Sequence, residues 1–448
     1  MVFLLYKNKV NIGVKIIMNK NLIKPSILSG FMELLPNEQE KFNDIVNKIL
    51  DVYEKNGCLA MDTPIIEKAE VLLAKSGGET EKQVYSFQKG KNNLALRFDL
   101  TVPFARFVAQ YYDKLNFPFK RYQFGKVYRG ERNQRGRYRE FYQCDVDVIG
   151  KEKLSINNDA WVISLVDKAF KEIGLSQYKF QISNRKILKG ALEELNIDNA
   201  LAVMTLIDKY DKIGKLKFTD ELKELIGGRK SEVLNNILDI NGTNNEIIEQ
   251  LSKLDIKNNY FIEGISELKK VKEMLNILNV DDNSFIINLK IIRGLDYYTG
   301  TVFETLLTQN KNYGSICSGG RYDNLAENYT DNILPGVGIS IGITRLFFVL
   351  KEIGFIDNYN VRNKLDYLII PIGDTIKYCT DIMKKLEKKG CGISIYFEDD
   401  TLKKKMNYAD KIGVKNVILI GEDEVKSNTV KIKNMDSGNN VIINYIEL

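Results

Sequence analysis

Between Lys120 and Gly150 the chain reads KRYQFGKVYRGERNQRGRYREFYQCDVDVIG, and this stretch limits the possible folds more than any other. From Lys120 to Arg139 it carries two Lys and six Arg against one Glu. Alone, such a run would be a solvated loop or a nucleic-acid arm. Its flanks, however, alternate. Arg121, Gln123, Val127 and Arg129 share one parity. After the run, Phe141, Gln143, Asp145 and Asp147 share one face, and Tyr142, Cys144, Val146 and Val148 share the other. A strand with one apolar face and one face of Gln and Asp is half-buried, and its polar face must meet water or a polar ligand. The stretch predicts two antiparallel strands joined by a basic loop. Its polar floor suits an anionic substrate, and its loop suits contact with something larger.

A chain of 448 residues is too long for one ordinary core, which predicts two or three domains. The net charge of +6 fits contact with nucleic acid or anionic metabolites. Histidine is absent. That excludes Ser-His-Asp and Cys-His catalysis, histidine metal sites and an imidazole base. Arginines, carboxylates, tyrosines, backbone and a substrate-borne metal must carry the chemistry. Cysteines 58, 144, 317, 379 and 391 form no C-x-x-C pair. Free thiols in a reducing, cytoplasmic compartment and no protein-held metal are expected. No apolar run reaches membrane-spanning length. Residues 1–17 are expected to be a disordered or misannotated extension ahead of Met18.

Taken in order, residues 37–56 predict a helix opened by an Asn37/Glu40 capping box and ended by Gly57. The strand CLAMDTPIIE follows, placed by Pro64 at an edge or beside another subunit. In LALRFDLTVPFAR, Arg97, Asp99 and Thr101 share a parity and are expected to project into one cleft. A helix over 156–173, capped by Ser155, leads to the strand YKFQISN. Residues 187–283 predict a helical insertion. The strand SFIINLKII then runs into RGLDYYTGTVFE, YGSICSGGRYDNL and PGVGISIGITRLFFVL. Gly319, Gly320, Gly336, Gly338 and Gly342 are expected to admit a ligand close to the backbone. GVGISIG lacks both the spacing and the βαβ setting of a dinucleotide fingerprint. From about 365 the pattern alternates strand and helix, predicting a small, mainly parallel α/β domain after a linker near 357–364.

Arg129, Arg293, Arg321 and Arg345 stand beside glycine-rich or strand-end positions. Converging arginines without an acid–base residue fit charge stabilisation at a transferring phosphorus centre. Asp99, Gln143, Asp147 and Tyr298 offer acceptors for an ammonium group and a nitrogen ring. A nucleotide and a small amine beside a basic loop suggest amino-acid activation and transfer to RNA.

At these residues the chain resembles the class II aminoacyl-tRNA synthetases, and within them the histidyl-tRNA synthetase family. The capped helix with TPIIE resembles motif 1, YRGERNQRGRYREF motif 2 and GISIGITRL motif 3. RGLDYYTG and SGGRYDNL resemble the two histidine signatures, and LRFDLTVPFAR a further family stretch. The resemblance implies an α+β catalytic domain with a mainly antiparallel sheet (18–186 and 284–356), a helical insertion (187–283) and a C-terminal α/β anticodon-binding domain (365–448). It implies ATP, L-histidine and tRNA(His) as partners, Mg2+ carried with ATP, a homodimer and no membrane. Arg129 would bind the α-phosphate and the attacking carboxylate, Glu131 the adenine amino group, and Phe141 the adenine ring. Arg345 and Arg137 would bind phosphates. Arg293 would stabilise charge at the α-phosphorus beside the histidine. Asp99, Thr101 and Gln143 would hold the α-amino group. Asp147, Tyr298 and Tyr322 would recognise the imidazole, with Tyr297 in the same pocket. Gln134–Arg139 would form a mobile loop, and the parity of 141, 143 and 147 predicts one floor shared by nucleotide and amino acid. The chain ends at VIINYIEL, where the family usually adds a helix. The rival within the fold is a non-catalytic regulatory subunit of ATP phosphoribosyltransferase, which normally lacks the C-terminal domain and key arginines.

Overall fold

A computed structural model describes residues 23–74, 79–132, 134–291, 297–309 and 313–448. The chain divides into two compact units, 1–357 and 358–448.

The strands of the first unit are β1 (Leu59–Ala60), β2 (Ile66–Lys68), β3 (Ser86–Lys89), β4 (Asn92–Leu96), β5 (Phe119–Tyr128), β6 (Glu140–Ile149), β7 (Tyr178–Asn184), β8 (Phe285–Ile287), β9 (Thr301–Leu307), β10 (Cys317–Tyr322) and β11 (Gly336–Gly342). Among the described residues, eight of them form one sheet in the order β1-β5-β6-β11-β10-β9-β7-β8. It is antiparallel except at its edges, where β1 runs parallel to β5 and β8 parallel to β7. β2, β4 and β3 form a small antiparallel sheet.

The basic stretch is the β5–β6 hairpin, paired from Phe119↔Ile149 to Tyr128↔Glu140. Its apolar side packs under helices Pro36–Lys55, Asn157–Glu172 and Ile343–Glu352. Phe42 lies 5.5 Å from the Tyr142 ring and 5.4 Å from Phe347, while Phe124 stacks on Tyr142 at 4.9 Å. Covering one face leaves the odd-numbered face for polar work.

Several local expectations change. The first helix starts at Pro36, with no side-chain cap. Proline at the first helical position already has a helical φ and lacks an N–H to satisfy, so the Asn37/Glu40 box does not form. Ser155 accepts from the Asn157 amide at 3.3 Å, but the helix N-cap is Ile156. CLAMDTPIIE splits into β1 and β2 around Pro64, which cannot donate to a ladder. SFIINLKII keeps only β8, because Asn288 Oδ1 takes the Lys290 amide at 3.0 Å and turns the chain. Between β7 and β8 the described residues are helical, from Arg185–Glu194 to Asn259–Ile277.

In the second unit β12 (Tyr367–Pro371), β13 (Ile393–Ile395) and β14 (Asn416–Ile420) are parallel, separated by helices Ile376–Glu387 and Leu402–Lys411. β15 (Thr429–Asn434) and β16 (Asn440–Asn444) add an antiparallel hairpin, so the sheet is mixed. Ile369 and Ile418 enter one core while Leu368, Ile370 and Val417 enter the other. This two-sided burial explains the unbroken apolar runs.

Candidate active site

Antiparallel pairing turns the polar face into cross-strand rows. Arg121 stands opposite Asp147, then Gly338 and Gly320. Gln123 stands opposite Asp145, then Ser340, Ser318 and Glu304. Gly125 stands opposite Gln143 and then Gly342. Two adjoining cavities, of about 210 and 300 Å³, open on this floor. Arg129, Arg137, Gln143, Ser340 and Arg345 border both. Glu131, Tyr138 and Phe141 border the smaller. Asp99, Thr101, Tyr297, Tyr298 and Glu304 border the larger.

The smaller cavity is cationic. Arg129 Nε donates to the Phe98 carbonyl at 3.0 Å, and its guanidinium lies 5.2 Å over the Phe141 ring. Arg345 Nη1 donates to the Ser315 carbonyl at 2.8 Å and Nε to the Gly136 carbonyl at 3.3 Å. Arg137 pairs with Glu131 at 3.1 Å. Burial and then the charges of Arg137 and Arg129, against Glu131, hold Arg345 below the usual guanidinium range. Three cations around one carboxylate favour an anion. In the basic loop Arg137 N donates to the Gln134 carbonyl at 2.9 Å, Arg345 Nε reaches the Gly136 carbonyl, and Arg135 pairs with Glu352.

The larger cavity presents acceptors. Asp99 Oδ1 takes the Val102 amide at 3.0 Å at the head of helix Thr101–Gln110, while buried Oδ2 has no hydrogen-bond partner among the described residues. Burial pushes its carboxyl up to about 6, against the Val102 bond and the charges of Arg129 and Arg121. Gln143 Nε2 donates to Ser340 Oγ at 2.6 Å, leaving Oε1 without a partner among the described residues. Two buried acceptors without a donor among those residues are the chemistry an ammonium group satisfies.

Asp147 and Tyr322 lie on the expected face but border neither cavity. Asp147 Oδ1 accepts the Tyr322 hydroxyl at 2.7 Å, and Oδ2 lies 2.6 Å from Arg121. Arg121 and Asp147 are 0% and 2% exposed. Tyr297 stands edge-on to Tyr298 at 4.9 Å and to Tyr322 at 6.0 Å, linking the cavity to this deeper group. Arg97 does not join Asp99 and Thr101 in the cleft. It crosses Gly125 and binds Asp62 at 2.9 Å, Thr63 and the Lys126 carbonyl, because its strand ends before Phe98 and the parity lapses. Arg321 points to the opposite side, where Asp159 meets it at 2.6 Å. Arg293 lies outside the described residues.

The glycine series serves the chain's own atoms. A Cβ at Gly338 would sit 1.8 Å from Asp147 Oδ1, at Gly336 2.3 Å from the Tyr322 ring, at Gly320 2.9 Å from Tyr298 and at Gly319 2.2 Å from the Gly338 carbonyl. Gly342, with nothing nearer than 3.7 Å, opens to the smaller cavity as expected of the series, and the Gly319 backbone also borders the larger. Sequence reasoning missed Ser315, Ser318, Ser340, Glu304 and Tyr138. Ser340 alternates with Ile339 and Ile341, the same signal that located Gln143. Tyr138 sits in a loop, where no periodicity marks it.

Residues 30–346 match a family model described as histidyl-tRNA synthetase, and 366–448 match one described as an anticodon binding domain. The histidine–tRNA ligase of Clostridium acetobutylicum is 63% identical over 428 residues, covering 96% of this chain and 100% of the relative. A crystal structure of histidyl-tRNA synthetase from Nostoc sp. superposes with a TM-score of 0.84 at 34% identity, covering 95% of this chain and 98% of that one. A Bacillus halodurans structure described as an ATP phosphoribosyltransferase regulatory subunit/histidyl-tRNA synthetase shares the fold alone, with a TM-score of 0.73 at 22% identity over 86% of this chain and 97% of that one.

Proposed function

The chain belongs to the histidyl-tRNA synthetase family, and from that premise we propose how its double cavity joins histidine to tRNA(His). The histidine carboxylate attacks the α-phosphorus of ATP. A carboxyl–phosphate bond forms, the bond to the β-phosphate breaks, and pyrophosphate leaves. The 3′-terminal ribose hydroxyl of the tRNA then attacks the adenylate carbonyl and AMP leaves. The first step needs positioning and charge neutralisation rather than a protein base, and the second can use an adenylate phosphate oxygen, so a chain without histidine can run both.

One observation carries this reading: unbalanced arginines and orphaned buried acceptors meet in continuous cavities. Phe141 takes the adenine ring and Glu131 its amino group. Arg129, Arg137 and Arg345 take phosphates, with Arg129 also on the histidine carboxylate and Arg293 on the developing charge. Asp99, Thr101 and Gln143 take the α-ammonium. Tyr297 and Tyr298 form the imidazole end, with Asp147 and Tyr322 in the buried group behind them. Mg2+, which neutralises phosphate charge when bound, would come with ATP. A purely regulatory role is not favoured at 63% identity to a ligase.

Histidine-dependent exchange of labelled pyrophosphate into ATP tests the reading; purified protein with histidine, Mg2+ and ATP but no exchange would refute it. We assign 18–186 and 284–356 to catalysis, 187–283 to the acceptor stem and 365–448 to the anticodon, which footprinting of bound tRNA(His) checks. A homodimer across the β1 edge is supported by exposed Leu59 and Ile66 beside Pro64, and a monomeric sedimentation coefficient would exclude it. Five free cysteines support a cytoplasmic location, checked by fractionation; no helix among the described residues is long and apolar enough to cross a membrane.

A further inference from the structure

The second cross-strand row sets a carboxylate opposite a hydroxyl that accepts from the Gln143 amide. Asp145, 2% exposed, lies between Gln143 and Asp147 on β6, opposite Gln123 on β5 and Ser340 on β11. Arg121 Nη2 stands 3.9 Å from Asp145 Oδ2 and favours the ionised form against burial; once ionised, the carboxylate can only accept. Ser340 stands opposite this carboxylate on the same face of the sheet. Its Oγ accepts from Gln143 Nε2 at 2.6 Å, which leaves its one proton to point elsewhere, and Asp145 is the acceptor opposite it. That leaves the carbonyl Oε1 of Gln143, a side chain lining the cavity, buried and without a partner among the described residues.

We propose that Asp145 and Ser340 are positioning residues that set the orientation of the Gln143 amide, so that the cavity offers a carbonyl acceptor rather than an NH2 donor to the substrate's α-ammonium. This rests on the histidine-activating reading above. Reversing the chain would aim an N–H at a cation and replace attraction by repulsion. An Asn at 145 can donate to Ser340, freeing the serine proton for Gln143 Oε1 and turning the amide. An Ala at 340 releases the amide altogether. Asp145 borders neither cavity, and Ser340 borders both.

The test is pyrophosphate exchange with the full chain, comparing wild type with Asp145→Asn, Ser340→Ala and Ser340→Thr. KM for histidine should rise about tenfold in Asp145→Asn and Ser340→Ala, the scale of one hydrogen bond to a charged group. KM for ATP should rise less than KM for histidine, and Ser340→Thr, which keeps the hydroxyl, should recover most of the histidine affinity lost in Ser340→Ala. The second readout is competitive inhibition by imidazolepropionate, which lacks the α-amino group. Its Ki should not change, so the preference for histidine over this analogue collapses. Unchanged KM for histidine overturns the proposal while leaving the activity reading intact. So does a parallel rise in KM for histidine, KM for ATP and Ki for the analogue, which marks general loss of structure. No exchange in the wild type overturns the activity reading and the proposal with it.

Discussion

Replacing Arg121 with Leu should destabilise the first unit in a strongly pH-dependent way. The side chain is 0% exposed, and its guanidinium lies 4.3 Å over the Phe104 ring, which leucine can still partly cover. What leucine cannot supply is the cation 2.6 Å from Asp147 and 3.9 Å from Asp145, or the donor to the Leu100 carbonyl at 3.3 Å. Burial already raises both carboxyls, Asp145 to about 7, with Arg121 opposing the rise. Breaking a buried ion pair on one side costs about 3–5 kcal/mol. The sign follows from the raised folded-state pKa values: stability is retained where the carboxyls are protonated and lost as pH rises through about 7. Without the cation that loss deepens, so the deficit should be about 3–5 kcal/mol at pH 8.5. It should shrink to about 1–2 kcal/mol at pH 5.5, where the packing defect remains. Urea unfolding followed by fluorescence reads this directly, because the chain's one tryptophan, Trp161, has Lys120 of β5 4.1 Å over its ring. A deficit below about 1 kcal/mol, or one equal at both pH values, would show that Arg121 does not balance these carboxylates.

Arg345→Ala should lower exchange kcat/KM by on the order of a hundredfold, mostly through ATP; a larger change in KM for histidine than for ATP would argue against a phosphate role. Asp99 titrates at about 6, and only its ionised form accepts an ammonium, so KM for histidine should climb as pH falls below that value. In Asp99→Asn, KM should be raised at every pH and that added slope lost, measured by exchange between pH 5.5 and 8. Gly338→Ala, whose Cβ would lie 1.8 Å from Asp147 Oδ1, should lower stability by about 1–3 kcal/mol and raise KM for histidine, whereas Gly342→Ala, clear to 3.7 Å, should leave the melting temperature nearly unchanged. Equal effects at the two glycines would refute the account of the series.

Alternation in YQCDVDVIG was enough to place Gln143, Asp145 and Asp147 on one polar face, because a strand's side chains have no other freedom than parity. Parity does not say what lies on top. The cover over Asp147 comes from Tyr322 on β10 and Arg121 on β5, so whether it is floor or foundation is decided by strands distant in sequence. Glycine misled for the same reason: GVGISIG shows where side chains are missing, not whose atoms fill the space. Backbone punctuation was overread at Asn37 and Ser155, where good capping residues lost to Pro36 and to an early turn. The β15–β16 hairpin escaped because its polar, lysine-rich alternation resembles a solvated tail.

The row Arg121–Asp147–Gly338–Gly320 also dictates an order of assembly during synthesis. β6 gains its second neighbour only when β11 emerges, roughly 190 residues after β6 is complete, a wait of some 10–40 s at typical elongation rates. Through that interval the helices between β7 and β8 are made and can fold by local contacts, while the inner edge of β6 stays unpaired. A half-made chain therefore presents an open strand beside buried charges that have not yet met their partners. This chain should depend on chaperones most while residues 150–340 are leaving the ribosome, and aggregation of truncated products should concentrate there.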